Sequence, residues 1–279
     1  EVGGDPERLY ASPQAFHIAN RNRLASFPFS MVATATHDHK RGEDTRARLN
    51  VISELPERWE QLVRRVDELA ELYLTDLEGS PAPSRNDRYL IFQTILGTWP
   101  MELSGPNYHG IDAYTERLVE YLIKALRESK EFTNWTNVNG EYERATEHYL
   151  RSLLNPKGST VLLRTFAEAL AEMILPGVVN SLSQTLLKLT VPGVPDIYQG
   201  SELWDFSLVD PDNRRPVDFD SRRRILEQID SGEADHRLLL SDWQSGRIKE
   251  YIIATALGYR AAQPDIFASG EYEPVEVVG

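Results

Sequence analysis

The sequence contains no cysteine, which excludes a disulfide scaffold and a thiolate metal site. No apolar run is long enough to cross a bilayer, and the first residues lack the basic and apolar regions of a signal peptide. Positive charge is scarce, because 30 Lys and Arg residues face 43 Asp and Glu residues, which gives a net charge of -13. We therefore expect a cytoplasmic protein that has neither nucleic acid nor a membrane as a partner.

The composition is that of a globular protein, with 41% hydrophobic and 26% charged residues among 279. This length allows one large domain or two ordinary ones. The sequence does not begin with methionine, and it stops just after a strand-like alternation. We therefore expect it to be a piece of a longer protein.

Helical patterns fill the middle of the chain, from about residue 42 to residue 188. Before them, Ser12 as N-cap and Pro13 at the first helical position predict a helix. Trp59, Leu62 and Val66 recur at helical spacing and predict an amphipathic helix. Further helices are predicted over residues 87–98, 110–129, 141–154, 159–174 and 177–190. Residues 80–86 are predicted to form a loop.

Two predicted strands end in polar segments. The first is "SMVATATHD", residues 30–38, and His39, Lys40 and Arg41 follow it. The second is a short buried run over residues 194–198, followed by a long polar loop. Helices are predicted after that loop, over residues 221–229 and 246–262, and a last strand over residues 267–277. Since active sites of parallel α/β folds lie where strands end, these two joints are candidate sites.

The chemistry of the first joint leaves three interpretations open. His37, Asp38 and His39 offer metal ligands, but adjacent ligands rarely form a complete site. The segment could instead be a solvated turn whose acids complement the next helix dipole. The third interpretation is carbohydrate binding, with carboxylate and imidazole groups on sugar hydroxyls and aromatic rings against sugar faces. The rings available are those of Trp99, Tyr108, Trp135, Tyr198 and Trp204, although single aromatic residues more often belong to the core.

Two long motifs resemble a known family. "ATATHDHKRGEDTRARLNVISELPERW" resembles the maltooligosyl trehalose synthase segment written T-H-D-T-K-R-x-E-D-x-R-A-R. "TVPGVPDIYQGSELWDFSLVDPDNRRPVDF" resembles the same family's G-x-P-D-x-Y-Q-G-x-E-L-W-D-x-S-L-V-D-P-D-N-R-R-P-V-D. The likeness runs from about Ser26 to the end of the chain. One departure is His39, which stands where the family usually has threonine.

The resemblance implies an α/β fold, the C-terminal part of a (β/α)8 TIM barrel that is helix-dominated overall. Residues 1–40 would hold a barrel helix and the seventh strand. A large, mainly α-helical insertion would occupy residues 41–188. The eighth strand, its loop and the closing helices would lie in residues 189–262. Residues 263–279 would begin a truncated C-terminal β domain.

The resemblance also implies a reaction. The family converts the reducing-end α-1,4 bond of a maltooligosaccharide into an α,α-1,1 bond, with retention and without an organic cofactor or essential metal. Asp38 would stabilise the transition state and His37 would assist it. The resemblance extends substrate binding to a set of further residues: Lys40, Arg41, Tyr198, Glu202 and Trp204. The nucleophile and general acid would lie in a missing N-terminal barrel half, so this chain alone is expected to be inactive.

Three alternatives stay open at the level of sequence. Another α-amylase-superfamily hydrolase or glucanotransferase would share the His-Asp and Gly-x-Pro elements. A helical module that binds glycan without catalysis is a second possibility, and a His-Asp metal phosphohydrolase is a third. Product analysis, glycan binding without turnover, and metal in the purified protein would distinguish them.

Overall fold

The computed structural model describes residues 11–104 and 108–275, and helices dominate them. Contacts divide the chain into two compact units. We call the first the strand unit; it comprises residues 1–43, 181–205 and 215–279. The second, the helical unit, comprises residues 44–180 and 206–214.

The helical unit contains most of the predicted helices. The elements that lie wholly or mainly in it are α2 Glu43–Leu49, α3 Val51–Glu54, α4 Pro56–Ala70, β2 Thr75–Leu77, β3 Ser80–Ala82, α5 Arg85–Thr98, α6 Ile111–Ser129, α7 Gly140–Leu153 and α8 Thr160–Thr190. The last residues of α8, from Ser181, belong to the strand unit. Short 3-10 turns cover Glu71–Tyr73 and Met101–Ser104.

The core of the helical unit follows the predicted periodicity. On α4, Trp59, Leu62 and Val66 are all buried, which confirms the amphipathic interpretation of that helix. Arg48 is also buried, and its guanidinium donates to the carbonyl oxygen of Trp99 at 2.7 Å. The same group lies 3.9 Å from the centroid of the Phe206 ring. Burial lowers the pKa of Arg48 to about 10, so the guanidinium stays charged at neutral pH.

Two predictions for this unit were wrong. The two helices expected on either side of Pro176 form one continuous helix, α8. Proline removes only one backbone donor, and close packing supports the helix there: a Cβ on Gly177 would lie 2.9 Å from Cα of Arg48. The loop predicted over residues 80–86 instead begins with strand β3, which pairs with β2 in an antiparallel hairpin. Its two turn residues, Glu78 and Gly79, both have positive φ, as a tight hairpin turn requires.

The strand unit is built around one pair of short strands. Its elements are α1 Pro13–Ser26, β1 Met31–Val32, β4 Val194–Pro195, α9 Phe219–Asp230, α10 His236–Ser241, α11 Arg247–Ala262 and α12 Pro264–Ser269. Strands β1 and β4 are parallel, with Met31 opposite Val194 and Val32 opposite Pro195. Gly193 leads into this pair at φ +120, and a Cβ there would lie 2.6 Å from Cγ2 of Val32. The start of α1 is as predicted, since Ser12 accepts from Ala15 N.

Four further predictions for the strand unit need correction. Strand β1 ends at Val32, six residues before the predicted end at Asp38, because the chain turns at residues 37–38. Strand β4 ends at Pro195, three residues before the predicted end at residue 198. Helix α10 was not predicted. The last predicted strand is partly helix α12, with Pro264 at its first position, and residues 270–275 form no regular element. Residues 276 and 277 of that prediction lie outside the described residues.

No helix in the described part of the chain combines the length and the apolarity that crossing a bilayer requires.

Candidate functional site

The first candidate segment is a turn closed by its own side chains. The backbone nitrogen of Thr36 donates to Nδ1 of His39 at 2.7 Å, and the nitrogen of His39 donates to the Thr36 carbonyl at 3.4 Å. The nitrogen of Asp38 donates to Oγ1 of Thr36 at 3.3 Å. His39, the departure from the family motif, therefore contributes to the turn that presents His37 and Asp38.

Both predicted site residues of this turn face solvent. Nε2 of His37 lies 3.3 Å from Oδ2 of Asp38, and their side chains are 60% and 66% exposed. Lys40 is exposed, while Arg41 is half-buried. Two nitrogens of Arg41, Nε and Nη2, are buried without a hydrogen-bond partner among the residues that the structure describes. The turn thus presents a carboxylate and an imidazole that a hydroxylated ligand could contact.

The second candidate segment follows β4, and Glu202 holds it together. Oε2 of Glu202 accepts from the backbone nitrogen of Gly200 and from Nε of Arg222, each at 3.0 Å. Nη2 of Arg222 donates to the Gly200 carbonyl at 2.7 Å. Gly200 itself has φ +92, a left-handed conformation that favours glycine. Glu202 therefore braces this loop, and its contact with substrate stays a prediction.

The two aromatic candidates of the same loop are half-buried. The carbonyl oxygen of Tyr198 accepts from the nitrogen and Oγ of Ser201, at 3.0 and 2.6 Å. The indole Nε1 of Trp204 donates to the Trp243 carbonyl at 2.8 Å, and Nζ of Lys249 lies 5.9 Å from the Trp204 ring centroid. The Trp243 carbonyl and the Lys249 ammonium group therefore hold the Trp204 ring.

The sequence reasoning missed a buried ionic cluster in the strand unit. We call Thr34, Glu43, Lys188 and Lys249 the Glu43 cluster. Oε1 of Glu43 lies 2.6 Å from Nζ of Lys249, and its Oε2 lies 3.3 Å from Nζ of Lys188. The Thr34 hydroxyl donates to Oε2 of Glu43 and lies 2.8 Å from Nζ of Lys188. The Glu43, Lys188 and Lys249 side chains are 2%, 1% and 0% exposed.

The cluster keeps Glu43 ionised. Burial alone raises the pKa of this carboxyl, but Lys249 and Lys188 outweigh burial and lower its pKa to about 2. Burial also lowers the pKa of Lys188, against the attraction of Glu43. Glu43 and Lys188 stand 145 residues apart in the chain, so no local sequence pattern could have paired them.

The cluster also lies where the two candidate segments meet. Nζ of Lys249, which contacts Glu43, is 3.4 Å from the carbonyl oxygen of Leu203. One residue before Glu43, a Cβ on Gly42 would lie 2.8 Å from both the backbone oxygen and Oδ2 of Asp205. The segment after β1 therefore contacts the loop after β4 directly at Gly42 and Asp205, and Lys249 links Glu43 to Leu203.

A second buried carboxyl lies behind the β4 loop. Glu250, on α11, is buried, and its Oε2 has no hydrogen-bond partner in the described part of the chain. Burial raises its pKa to about 7, and the nearby Glu202 charge acts in the same direction, whereas Arg222 and Arg247 oppose it. For metal binding, the described residues hold no group of three or more His, Asp or Glu side chains with a suitable arrangement.

Comparison with known proteins identifies the relationship. The chain is 36% identical over 287 residues to a Mycobacterium tuberculosis protein named "Putative maltooligosyl trehalose synthase", and the match spans 100% of this chain. It covers 32% of that protein, so the chain spans about a third of the length of the curated relative. The chain is homologous to the maltooligosyl trehalose synthases.

Solved structures of maltooligosyl trehalose synthases agree with this relationship. One aligns with 99% of this chain and 35% of its own length, at 32% identity and a TM-score of 0.87. The enzyme from Arthrobacter ramosus aligns with 95% of this chain and 31% of its own, at 36% identity and a TM-score of 0.77. No protein-family model matches the chain. The resemblance noted in the two sequence motifs is thus confirmed as homology to maltooligosyl trehalose synthases.

Proposed function

We propose that this chain is part of an intramolecular transglucosylase that converts the reducing-end α-1,4 bond of a maltooligosaccharide into an α,α-1,1 bond. The observation that carries the proposal is the homology to maltooligosyl trehalose synthases along the whole chain. The substrate class, an α-1,4-glucan end, and the assignment as an isomerase both follow from that relationship.

The parallel pair β1 and β4 supports a barrel origin for the strand unit. Parallel strands need coverage on both faces, yet Met31 on β1 is 69% exposed and Val194 on β4 is 46% exposed. We propose that these are the last two strands of a (β/α)8 barrel and that an N-terminal barrel half completes the sheet. The helical stretch over residues 41–188 would then be an insertion between the two strands.

Asp38 has the strongest case for a role in the reaction. Retention of anomeric configuration requires a nucleophile and a general acid/base, with an oxocarbenium-like transition state between them. An exposed carboxylate just beyond a barrel strand can bind vicinal sugar hydroxyls and strengthen those bonds as positive charge develops. We assign this function to Asp38, with His37, 3.3 Å away, as its hydrogen-bonding neighbour.

The other site residues have a supporting function. Lys40 and Arg41 follow Asp38, and we propose that they bind sugar hydroxyls. Tyr198 and Trp204 would form the opposite wall, and Glu202 would act chiefly by bracing that wall through Arg222. The nucleophile and the general acid would come from the N-terminal barrel half, so the chain alone would not turn over substrate.

Product analysis tests the proposal. A longer polypeptide that contains this chain and the preceding barrel half is incubated with maltopentaose. A product of the same mass without a reducing end is expected, since the transfer is intramolecular. Shorter reducing sugars would instead identify a hydrolase, and longer chains a glucanotransferase.

The isolated chain provides a second arm of the same experiment. It should form no non-reducing product, because no pair of carboxyl groups on it is assigned as nucleophile and acid. Sustained turnover by the isolated chain would contradict the assignment of those groups to the barrel half. Glycan binding without turnover by the longer polypeptide would favour a binding module over an enzyme.

A further inference from the structure

We propose that the Glu43 cluster is a common anchor that positions both candidate segments, and that Glu43 is a positioning residue. The segment after β1 is attached at Thr34 and at Glu43, and His37 and Asp38 lie between these two points. The loop after β4 is attached through Lys249, which contacts both Glu43 and the Leu203 carbonyl.

We call residues 34–43 of the segment after β1 the Asp38 segment. The bond between Thr34 and Glu43 joins the two ends of this segment. Thr34 precedes Asp38 by four residues and Glu43 follows it by five, and the hydroxyl of Thr34 donates to the Glu43 carboxylate. A link between the two ends of a short segment removes much of its conformational freedom. Asp38 itself is exposed, so it has no packing of its own to fix its position. The bonds at Thr34 and Glu43 therefore hold the two ends of the segment, and the Thr36 and His39 bonds form the turn between them that presents Asp38.

The ammonium groups make this anchor strong and specific. Glu43 is almost completely buried, and a buried carboxylate is stable only with charged partners of good geometry. Lys188, in the last residues of α8, and Lys249, on α11, supply those partners, and both residues belong to the strand unit. The carboxylate thus fixes the start of α2 to both helices, and with it the C-terminal end of the Asp38 segment.

The coupling between the two segments is carried by Lys249 and by Gly42. Lys249 lies within 2.6 Å of Glu43 and 3.4 Å of the Leu203 oxygen, so a single ammonium group holds both segments. Gly42 has no side chain, which lets the Asp205 backbone approach closely. Loss of Lys249 should therefore loosen both segments, whereas loss of the Thr34 hydroxyl should loosen the first one alone.

Hydrogen exchange of the sugar-free chain tests this anchor with two variants that preserve the fold. Thr34→Val removes the hydroxyl and leaves both ion pairs of Glu43. Lys249→Met keeps the aliphatic stem, and Glu43 keeps Lys188 as its partner, so the buried charge of the cluster is balanced. Thr190→Val is the matched control in the same unit, because the Thr190 hydroxyl donates to the carbonyl oxygens of Leu186 and Leu187 in its own helix.

Thr34→Val should speed amide exchange in residues 35–42 by about five- to a hundredfold, because the hydroxyl loses two buried hydrogen bonds, one to Glu43 and one from Lys188, and Thr34→Ser should restore the slow exchange. Lys249→Met should speed exchange by a similar factor, about tenfold, in residues 35–42 and 200–205 together. Exchange in α6 should change in neither variant. If exchange in residues 35–42 is unchanged, or becomes equally faster in all described residues, the proposed anchoring role of the Glu43 cluster is contradicted.

The effect of the anchor on catalysis rests on the proposed function. The hydrogen-exchange result is independent of that function, because the experiment contains no sugar. In the longer polypeptide, Thr34→Val should lower kcat by about tenfold with little change in KM, as expected for looser placement of a group that acts in the transition state. Thr34→Ser should recover the rate. A change confined to KM, or no recovery by Thr34→Ser, would contradict the positioning role.

Discussion

Replacement of Glu43 by glutamine should be among the most destabilising single changes in the strand unit. The substitution keeps the shape of the side chain and removes its charge. Two buried ammonium groups, on Lys188 and Lys249, then lose their common carboxylate. Breaking a buried ion pair in this way costs about 3–5 kcal/mol. The pKa gives a similar figure, because lowering it from 4.5 to about 2 corresponds to about 3 kcal/mol at neutral pH.

The pH dependence separates this ionic effect from a packing defect. A carboxyl whose pKa is depressed by folding stabilises the protein above its unfolded pKa, and the stabilisation is lost as pH falls through the folded pKa. The free energy of unfolding of the wild type should therefore exceed that of Glu43→Gln by about 3 kcal/mol near pH 7 and by about 2 kcal/mol near pH 3.5. A packing defect would give a difference that does not change with pH.

Urea unfolding followed by fluorine NMR of fluorotryptophan-labelled protein is a suitable assay. Trp204 and Trp243 belong to the strand unit, whereas Trp59 belongs to the helical unit, so each transition can be followed separately. Glu60→Gln is the matched control, since Glu60 pairs with Arg64 on the surface and should matter little. Two results would refute the reasoning. One is that Glu43→Gln lowers the free energy of unfolding by less than about 1 kcal/mol near pH 7, and the other is that its difference from the wild type grows as the pH falls.

Three further predictions concern other residues. Glu250→Gln should leave stability unchanged near pH 4 and stabilise the protein by about 3 kcal/mol near pH 8. Burial raises the pKa of Glu250 from 4.5 to about 7, so the stability that its protonated carboxyl contributes is lost as pH rises through this range; urea titration at both pH values checks this. Gly193→Ala should cost about 3 kcal/mol, since the new Cβ would lie 2.6 Å from Val32, whereas Gly232→Ala, in open space at φ +76, should cost about 1 kcal/mol; thermal unfolding compares them. Asp38→Asn should leave the melting temperature unchanged, because Asp38 is exposed, and a fall of several degrees would assign it a structural role.

Periodicity and capping predicted most helices correctly. Ser12 and Pro13 begin α1 as expected, and the burial of Trp59, Leu62 and Val66 matches the pattern on α4. These predictions succeed because each depends on residues three or four positions apart. They concern contacts within one helix, which local sequence fixes.

Strand ends and buried charges could not be predicted in this way. The β1 strand stops at Val32 because the Thr36 backbone bonds the His39 side chain and turns the chain. Hydrophobic periodicity does not predict such a contact between backbone and side chain. Glu43 carries no local sign of burial, and its partner Lys188 is distant in sequence. The parallel pairing of β1 and β4 is what neighbouring seventh and eighth barrel strands would show, an order that the family resemblance implied and sequence spacing did not.

The assignment of Asp38 in a maltooligosyl trehalose synthase-type reaction is tested most directly by kcat of the longer polypeptide. Asp38→Asn should lower kcat by about a hundredfold to several thousandfold, since two charge-assisted bonds to the transition state are each worth about 1.5–3 kcal/mol. Asp220→Asn, an exposed carboxylate on α9, is the matched control and should keep the wild-type rate. Near-normal formation of the non-reducing product by Asp38→Asn would contradict the account.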